Sequence, residues 1–541
     1  MTGRGRLGTA VLAAVPLTAL ALFFVYPVLG MVALGFWPDG TFDPGAVLEV
    51  LGRPRVHRVL WFTLWSAASA TAVAVVAGLP VAFVLHRLRF PGRGLLQALV
   101  VVPFVLPTVV VGVAFRQLIA PSGPLGGLGL DGTAVAIIAA LVFFNVSVVV
   151  RTVGAFWEAI DPRREEAAAA LGASPLQVLR TVTVPALLPG IASAASVVFL
   201  FCATAFGVVL TMGGLRFSNI ETEIYQLTTQ ELDLTGAAAL SVLQVLVVTG
   251  LLILTARVRR SAGALARSPR RLPRPRPVHL PVLLWTTAVV VFLMAPLVSL
   301  VLASLRRGDS WGLENYRDLT TTGTRNALLV PATEGLANSL VIALAASVLA
   351  LSLGSIVAFL VSRPGGGRTT RVLDGVFMLP LGVSAVTVGF GFLITLDQPP
   401  LDLRTSAVLI PIAQAMVALP LVVRTVAPVL GSIDDRQRQA AASLGAGPFK
   451  VLLTVDLPVA WRGLLAAAGF AFAVSLGEFG ATSFLARDDN PTLPVVIYRL
   501  IGHPGAENFG MAMAASVVLA ATTTGVMLVV QRLRVGSMGA F

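Results

Sequence analysis

Charged side chains are scarce in this sequence. Asp, Glu, Lys and Arg together make up 12% of its 541 residues, and 56% of the residues are apolar. Soluble globular proteins carry about 25% charged residues. So little charge excludes a soluble enzyme or a soluble binding domain. We therefore predict an all-α polytopic membrane protein, because helices satisfy their own backbone hydrogen bonds in lipid.

Cysteine, histidine and lysine are nearly absent as well. Cys202 is the single cysteine, so no disulfide forms within the chain. Lys450 is the only lysine, and Phe449 before it and Val451 after it exclude a Gly-x-x-x-x-Gly-Lys-Ser/Thr loop for nucleotide phosphates. No Ser-His-Asp arrangement occurs, and no paired carboxylates lie at a plausible site, so we expect no enzyme activity, no metal and no cofactor bound by this chain. The four histidines are scattered: His57, His86, His279 and His503.

The charge that is present is mostly positive, with 39 Lys and Arg against 26 Asp and Glu. The arginines lie in short loops between apolar runs, without a basic domain or interleaved aromatic residues. We interpret them as the positive charge typical of cytoplasmic loops, not as a nucleic-acid surface. Their alternation predicts that both termini are cytoplasmic. The loop that carries Glu221, Glu223, Glu231 and Asp233 is predicted to be external.

Twelve apolar runs have about the 20 residues needed to cross a bilayer. They lie at about 10–36, 60–86, 95–119, 133–151, 187–212 and 237–257, and at about 280–304, 337–361, 372–396, 405–424, 461–485 and 510–531. The first run is too long for a cleaved signal peptide, so we expect it to be retained. An Arg/Pro-rich cytoplasmic linker at 259–278 is predicted to join a first repeat, 1–258, to a second, 279–541.

An internal repeat relates the two halves at a constant offset of 273 residues (445 − 172). Further matches at this offset are Arg151 with Arg424 and Phe206 with Phe479. Each half has six predicted spans, so both halves have the same orientation, and we predict two parallel six-helix repeats. The residues of the most similar stretch that recur are Leu171, Gly172, Ala173, Pro175, Val178, Leu179, Thr181, Val182 and Pro185.

The repeated stretch predicts a short helix, a glycine corner and a second short helix in each half. Asp161 and Asp434 have the N-cap side chain that begins the first helix, and Gln437 completes a capping-box pattern with Asp434. Gly172 and Gly445 would end that helix in the left-handed conformation. The second helix would begin in the first copy with a capping box, and it would end or kink at a proline in both copies: Ser174 and Gln177, then Pro185 and Pro458.

The two stretches, at about 155–190 and 428–463, resemble the cytoplasmic EAA loops of permease subunits in binding-protein-dependent ABC importers. That family's loop reads Glu-Ala-Ala, then Leu-Gly and a distant proline. The second copy departs from it with Gln439 in place of glutamate. The matching residues are Glu166, Ala167, Ala168, Gly172 and Pro185 in the first copy, and Gln439, Ala440, Ala441, Gly445 and Pro458 in the second.

This resemblance implies partners as well as a fold. Both loops would dock on ABC ATPase subunits, two copies in all, which would bind ATP and Mg²⁺. An extracytoplasmic binding protein would deliver the substrate, and the chain would lie among the lipids of a bacterial plasma membrane. For Glu165 and Glu166 a solvated helix face is the alternative to a docking role.

Glu478 lies in the eleventh predicted span, where a charge exposed to lipid costs several kcal/mol. One interpretation places it on the translocation pathway with Phe479 and Gly480, where it would tolerate a cationic substrate or gate the pore. The other is an acid that packs between helices, hydrogen-bonded to its neighbours. The equivalent residue in the first repeat is Ala205, so either role would be asymmetric.

The segments 210–226 and 484–494 resemble the thiamine-type permeases, and fused two-copy permeases are typical of thiamine and iron(III) importers. The resemblance therefore implies transport of thiamine or its phosphates, with iron(III) as the alternative. A proton-coupled secondary transporter can also have two parallel six-span halves. It would need membrane acids for proton relay but no matched loops between spans four and five. A membrane scaffold without transport would leave those loops unexplained.

Overall fold

The computed structural model describes residues 3–38, 40–214, 216–260, 272–362, 367–397, 401–404 and 406–533. These residues are mostly helical, which confirms the predicted fold class. Within them a single short hairpin pairs Arg306–Arg307 with Ser310–Trp311. Most of the predicted linker, 261–271, and the end of the C-terminal tail lie outside the described residues.

Helices α1 to α13 occupy the first half. In order they are Gly3–Leu20, Tyr26–Phe36, Pro44–Gly52, Pro54–Arg87, Arg93–Val105, Thr108–Ile119, Ala134–Ala159, Pro162–Ala170, Pro175–Val178, Val184–Ala203, Gly207–Met212, Ile220–Gln226 and Leu234–Arg260. Helices α14 to α25 occupy the second half. They are Leu280–Ser304, Glu314–Arg317, Ala332–Ser362, Gly367–Met378, Ala385–Thr395, Leu409–Gly431, Asp435–Ser443, Pro448–Val451, Leu457–Leu476, Thr482–Leu485, Leu493–Gly502 and Ala506–Leu533.

Within the described ranges, ten helical segments are long and apolar enough to cross a membrane, and they correspond to ten of the twelve predicted spans. They are Leu12–Phe36, Pro54–Arg87, Ala134–Ala159, Pro175–Ala203, Leu234–Ile253, Pro277–Ser304, Ala332–Ser362, Leu409–Gly431, Phe449–Leu476 and Ala506–Val530. The helical segments Pro175–Ala203 and Phe449–Leu476 end earlier than the predicted spans at 187–212 and 461–485. In each half a short break and a further short helix follow, α11 and α23.

The predicted spans at 95–119 and 372–396 are not single helices. In the first half α5 and α6 meet at 103° and count together as an eleventh span at most. The bend lies at Pro107, which precedes α6, and Leu106 before it is extended. In the second half a 3-10 turn, Leu379–Gly382, separates α17 from α18. Proline removes a helical hydrogen bond and disfavours helical geometry in the residue before it.

Contacts divide the chain into two compact units, which do not coincide with the two sequence repeats. Of the described residues, one unit comprises those within 1–52, 223–245 and 304–533. The other comprises those within 53–222 and 246–303. The first span of each repeat thus belongs to the unit formed mainly by the other repeat.

Aromatic contacts hold each exchanged span in its unit. In the first unit the ring of Phe23 lies 6.3 Å from that of Phe392, and Phe24 belongs to a buried cluster with Phe377. In the second unit the ring of Phe292 lies 6.1 Å from Phe115 and 6.4 Å from Phe143.

Each unit contains the same close helix crossing. A Cβ added at Gly78 of α4 would lie 2.8 Å from a methyl carbon of Val149 in α7. A Cβ added at Gly354 of α16 would lie 2.7 Å from the corresponding carbon of Val422 in α19. Small residues let helices approach closely in lipid, where packing replaces the hydrophobic effect as the force that holds helices together. This shared crossing supports the helices that carry the two repeated loops.

Candidate functional site

The first repeated loop is built around α8, Pro162–Ala170, which we call loop helix 1. The Asp161 carboxylate caps it by accepting the Arg163 N–H at 3.0 Å. The helix ends where Gly172 adopts a φ of +86°, and the Ala173 N–H donates to the Ala168 carbonyl at 3.1 Å. The predicted cap and glycine corner are both confirmed. None of the nine residues of loop helix 1 is buried.

The second repeated loop has the same geometry around α20, Asp435–Ser443, which we call loop helix 2. Asp434 accepts the Arg436 N–H at 2.9 Å, and Gly445 has a φ of +82°. No residue of loop helix 2 is buried either. The predicted capping box is wrong here, because the Gln437 N–H donates to the backbone carbonyl of Asp434 and not to its side chain.

The helix that follows each corner is long, which contradicts the prediction of a second short helix. The predicted box of Ser174 and Gln177 does form in the first copy, at 2.7 and 3.4 Å. The helix then continues as one segment, Pro175–Ala203, and its counterpart is Phe449–Leu476.

In both copies a π-helical turn stands just before the proline that was predicted to end or kink the helix. The two turns are Leu179–Thr183 before Pro185 and Leu452–Asp456 before Pro458. A proline ring clashes with the carbonyl four residues earlier, and that carbonyl lies in the wider turn. Each corner is therefore joined directly to a membrane-spanning helix.

A leucine protrudes at each corner. Leu171 and Leu444 occupy equivalent positions directly before the corner glycines, and each is 89% exposed. Further apolar side chains follow on the same loops, with Leu176 55% exposed and Phe449 72% exposed. Each loop thus presents exposed apolar side chains at its corner and just after it, and exposed apolar groups that cluster in this way are typical of a protein-binding surface.

The predicted motif residues lie around these leucines. Glu166 and Gln439, the positions where the two copies differ in charge, are both exposed, so neither needs a charge for internal structure. Exposed as well are Ala167, Ala440, Pro185 and Pro458, and half-buried are Ala168 and Ala441.

Glu165 behaves differently from Glu166, although the sequence presents them as a pair. Its carboxylate accepts the Thr183 hydroxyl at 2.9 Å and forms an ion pair with Arg87. It is therefore not part of a solvated face. Sequence reasoning also missed Arg438 and Asp456, which form the corresponding contact in the second copy. The signal was available, because these residues lie 273 positions after Glu165 and Thr183 and change chemistry together.

Glu478 lies in a break of the backbone, since α22 ends at Leu476 and α23 begins at Thr482. Its buried carboxylate accepts the N–H groups of Ala481 at 2.8 Å and Thr482 at 3.0 Å, and the Thr482 hydroxyl at 2.5 Å. The neighbouring Phe479 ring lies 5.5 Å from that of Tyr498. A Cβ added at Gly480 would lie 3.0 Å from the Cβ of Ala385.

These contacts favour the interpretation of Glu478 as a packing acid that caps the short helix α23. The pathway interpretation of Glu478, Phe479 and Gly480 stays a prediction. Among the described residues no group of three or more His, Cys, Asp or Glu side chains could hold a metal ion.

We expect Glu478→Leu to destabilise the protein, because it leaves buried N–H donors unpaired at about 1–3 kcal/mol each. Glu478→Gln should cost less, since its amide oxygen still accepts one bond. The measurement is the thermal unfolding midpoint in detergent, with Glu334→Gln as the control at an exposed position of α16. If transport instead falls in Glu478→Gln while the midpoint stays unchanged, the pathway role is right and the capping role is insufficient.

Comparison with known proteins identifies both halves. The family model described as binding-protein-dependent transport system inner membrane component matches residues 74–262 and again 350–534. The thiamine transport system permease protein ThiP of Brucella abortus (strain 2308) is 26% identical over 507 residues, which is 89% of either chain. ThiP of Escherichia coli (strain K12) is 29% identical over 461 residues, 82% of this chain and 83% of that protein.

A relative named for a different substrate matches over a similar length. The putative ferric transport system permease protein FbpB 1 of Haemophilus influenzae is 26% identical over 499 residues. The match covers 86% of this chain and 76% of that protein. The similarity thus extends over both repeats in the relatives of either kind.

Proposed function

Because the chain belongs to the family of binding-protein-dependent transport system inner membrane components, we propose that it carries thiamine or its phosphates across the bacterial plasma membrane. The chain is the permease of an ABC importer, with both halves of the pathway fused in one polypeptide. The choice of thiamine is supported by the ThiP relatives, which align over most of both chains.

The ATPase would dock on the two repeated loops. The observation that carries this proposal is the equal exposure, 89%, of Leu171 and Leu444 at equivalent corners. A leucine this exposed gains free energy when a partner covers it, about 1.5–3 kcal/mol for full burial. Two loops of one shape would receive two copies of the ATPase. Both loops would then be cytoplasmic, and so would both termini.

The structure of the loops supports a mechanism for energy transfer. ATP and Mg²⁺ would bind between the two ATPase subunits and draw them together. Each corner would move with its subunit, and the helix that follows, Pro175–Ala203 or Phe449–Leu476, would move as a continuous rod. That movement would switch the pathway between outward and inward access, while an extracytoplasmic binding protein delivers the substrate.

Reconstitution tests this function. The chain is co-expressed with a candidate ABC ATPase and a candidate binding protein from the same genome, and the complex is placed in proteoliposomes that contain ATP. We expect ATP-dependent uptake of labelled thiamine or thiamine phosphate that requires the binding protein. Vesicles without ATP, and vesicles with a proton gradient alone, are the controls. Uptake driven by the proton gradient without ATP would contradict the proposal and support a secondary transporter.

Iron(III) is the second candidate substrate, because the FbpB 1 relative aligns over 86% of this chain. The same vesicles are therefore assayed with labelled ferric ion. ATP-dependent uptake of iron with no uptake of thiamine would leave the importer role intact and replace the proposed substrate.

A further inference from the structure

Something other than an apolar core must hold each loop helix in place. No residue of loop helix 1 or loop helix 2 is fully buried, and the corner that follows each of them turns at a glycine. Glycine populates left- and right-handed conformations about equally, so a glycine corner by itself is a pivot. If the loop helix rotated about this corner, movement of a docked partner would turn the loop helix alone and would not move the membrane helix that follows.

In the first repeat a polar contact bridges the corner. Glu165 of loop helix 1 accepts the hydroxyl of Thr183, at the end of the π turn, at 2.9 Å. The guanidinium of Arg87, the last residue of α4, also pairs with the Glu165 carboxylate. Both charged side chains are largely buried, with 9% of Arg87 and 14% of Glu165 exposed. The contact joins residues 18 positions apart, on either side of the corner.

In the second repeat the two equivalent positions also form a contact, but the residue on the loop helix is basic instead of acidic. Arg438 of loop helix 2 donates through Nε to Asp456, also at the end of the π turn, at 2.7 Å. It further donates to Asp435 at 2.8 Å and to the carbonyl of Leu430 at 2.9 Å. The Asp456 side chain is 1% exposed.

The electrostatics of Arg438 agree with a permanent ion pair. Burial lowers the pKa of Arg438, but the hydrogen bonds and charges of Asp456 and Asp435 outweigh it, so the pKa lies above its ordinary value. Removing one partner of a buried ion pair leaves the other charge uncompensated, which is strongly destabilising for the local structure.

The change of charge between the repeats separates two roles for these positions. A residue that contacts identical surfaces on two copies of one partner would not reverse its charge between the two loops. An internal contact needs only that its own partner changes with it, as Glu and Thr in the first repeat change to Arg and Asp in the second. The covariation within the chain therefore indicates a contact inside the chain.

We propose that Glu165 and Arg438 are positioning residues that lock the two loop helices to the helices that follow them, so that movement of the ATPase reaches the membrane. This inference rests on the proposed docking function. In each repeat these contacts, which we call the tether, make a rigid unit of the loop helix, the glycine corner and the π turn. Neither residue is required to contact the ATPase.

The first test uses the permease alone in lipid nanodiscs. Arg438→Met should speed amide hydrogen exchange at residues 435–446 by about tenfold or more, while exchange in Phe449–Leu476 stays unchanged beyond its first turns. Arg436→Met is the matched control, since Arg436 is an exposed arginine of the same helix, and it should leave exchange unchanged. Arg438→Lys, which keeps the charge and loses the fork of donors, should lie in between.

The second test uses the complex with its ATPase and measures substrate transported per ATP hydrolysed. We expect Arg438→Met to lower this ratio about tenfold while ATPase binding persists. Arg438→Lys, which keeps the charge, should retain more of this ratio than Arg438→Met, in the same order as its exchange protection. A purely structural role would lower the amount of folded complex without changing the ratio.

The two tests separate failure of the tether from failure of the docking function. Unchanged exchange in Arg438→Met overturns the tether, and so does faster exchange with a wild-type transport ratio. If the wild-type chain does not bind the ATPase at all, the proposed docking function fails. The proposed role of the tether in passing movement from the ATPase to the membrane then fails as well. The exchange result still decides whether Arg438 holds loop helix 2 in place.

Discussion

Leu171→Asp combined with Leu444→Asp is expected to weaken binding of the ATPase about a hundredfold or more and to reduce ATP-dependent uptake to near background. Full burial of a leucine contributes about 1.5–3 kcal/mol. Two of them correspond to about two to four powers of ten in the dissociation constant. Aspartate adds the cost of moving a carboxylate out of water. The single variants should show intermediate losses.

The measurement is retention of the tagged ATPase on immobilised permease, followed by uptake in proteoliposomes. Leu329→Asp is the matched control, because Leu329 is also strongly exposed, at 67%, but lies in the loop that precedes α16. This control should bind the ATPase normally. Both leucines protrude into solvent, so the double variant should fold and elute like the wild type. Normal ATPase binding in the folded double variant would rule out the leucines as the docking contacts.

Gly172→Pro combined with Gly445→Pro should uncouple ATP hydrolysis from transport while the membrane spans stay folded. The two glycines have φ values of +86° and +82°, and proline is restricted to about −65°. The corner cannot keep its shape with proline. The exposed leucine before it therefore no longer has a fixed position relative to the membrane helix after it. We expect uptake to fall at least tenfold at unchanged helical content by circular dichroism.

Milder substitutions distinguish the backbone from simple crowding. No atom lies within 4 Å of a Cβ added at either glycine, so any effect of alanine comes from the left-handed conformation, at about 1–2 kcal/mol. Asparagine tolerates this conformation better and should retain most activity. Gly447→Ala is the control, because Gly447 has the same open surroundings without a positive φ. Wild-type uptake in the double proline variant would count heavily against docking through these corners.

The repeated loops were largely predictable because their structure is local. The caps at Asp161 and Asp434 and the turns at Gly172 and Gly445 depend on residues within a few positions of each other. The prolines after the corners were misread for the same reason. A local rule says that proline ends or kinks a helix, whereas the chain continues through Pro185 with a π turn, and packing of the long helix decides between the two.

The broken spans show what hydropathy leaves undetermined. The runs at 95–119 and 372–396 are as apolar as the others, and lipid burial alone does not distinguish a straight helix from two short ones. Pro107 and Pro380 lie at the two breaks, yet α19 contains Pro420 and Pro428 and stays one helix. Whether a proline breaks a span depends on whether neighbouring helices supply contacts to the freed backbone.

Sequence by itself determined the membrane class, the parallel duplication and the two loops with their glycine corners, because composition, a constant offset and short-range backbone rules carry that information. Only the tertiary structure decided which unit each first span joins, and which residues of the loops face outward. Glu165 and Glu166 are neighbours of the same type, but about 100° of helix rotation turns one toward Thr183 and the other toward solvent. Contacts across 18 and 78 residues set that rotation, and such contacts exist only in the folded chain.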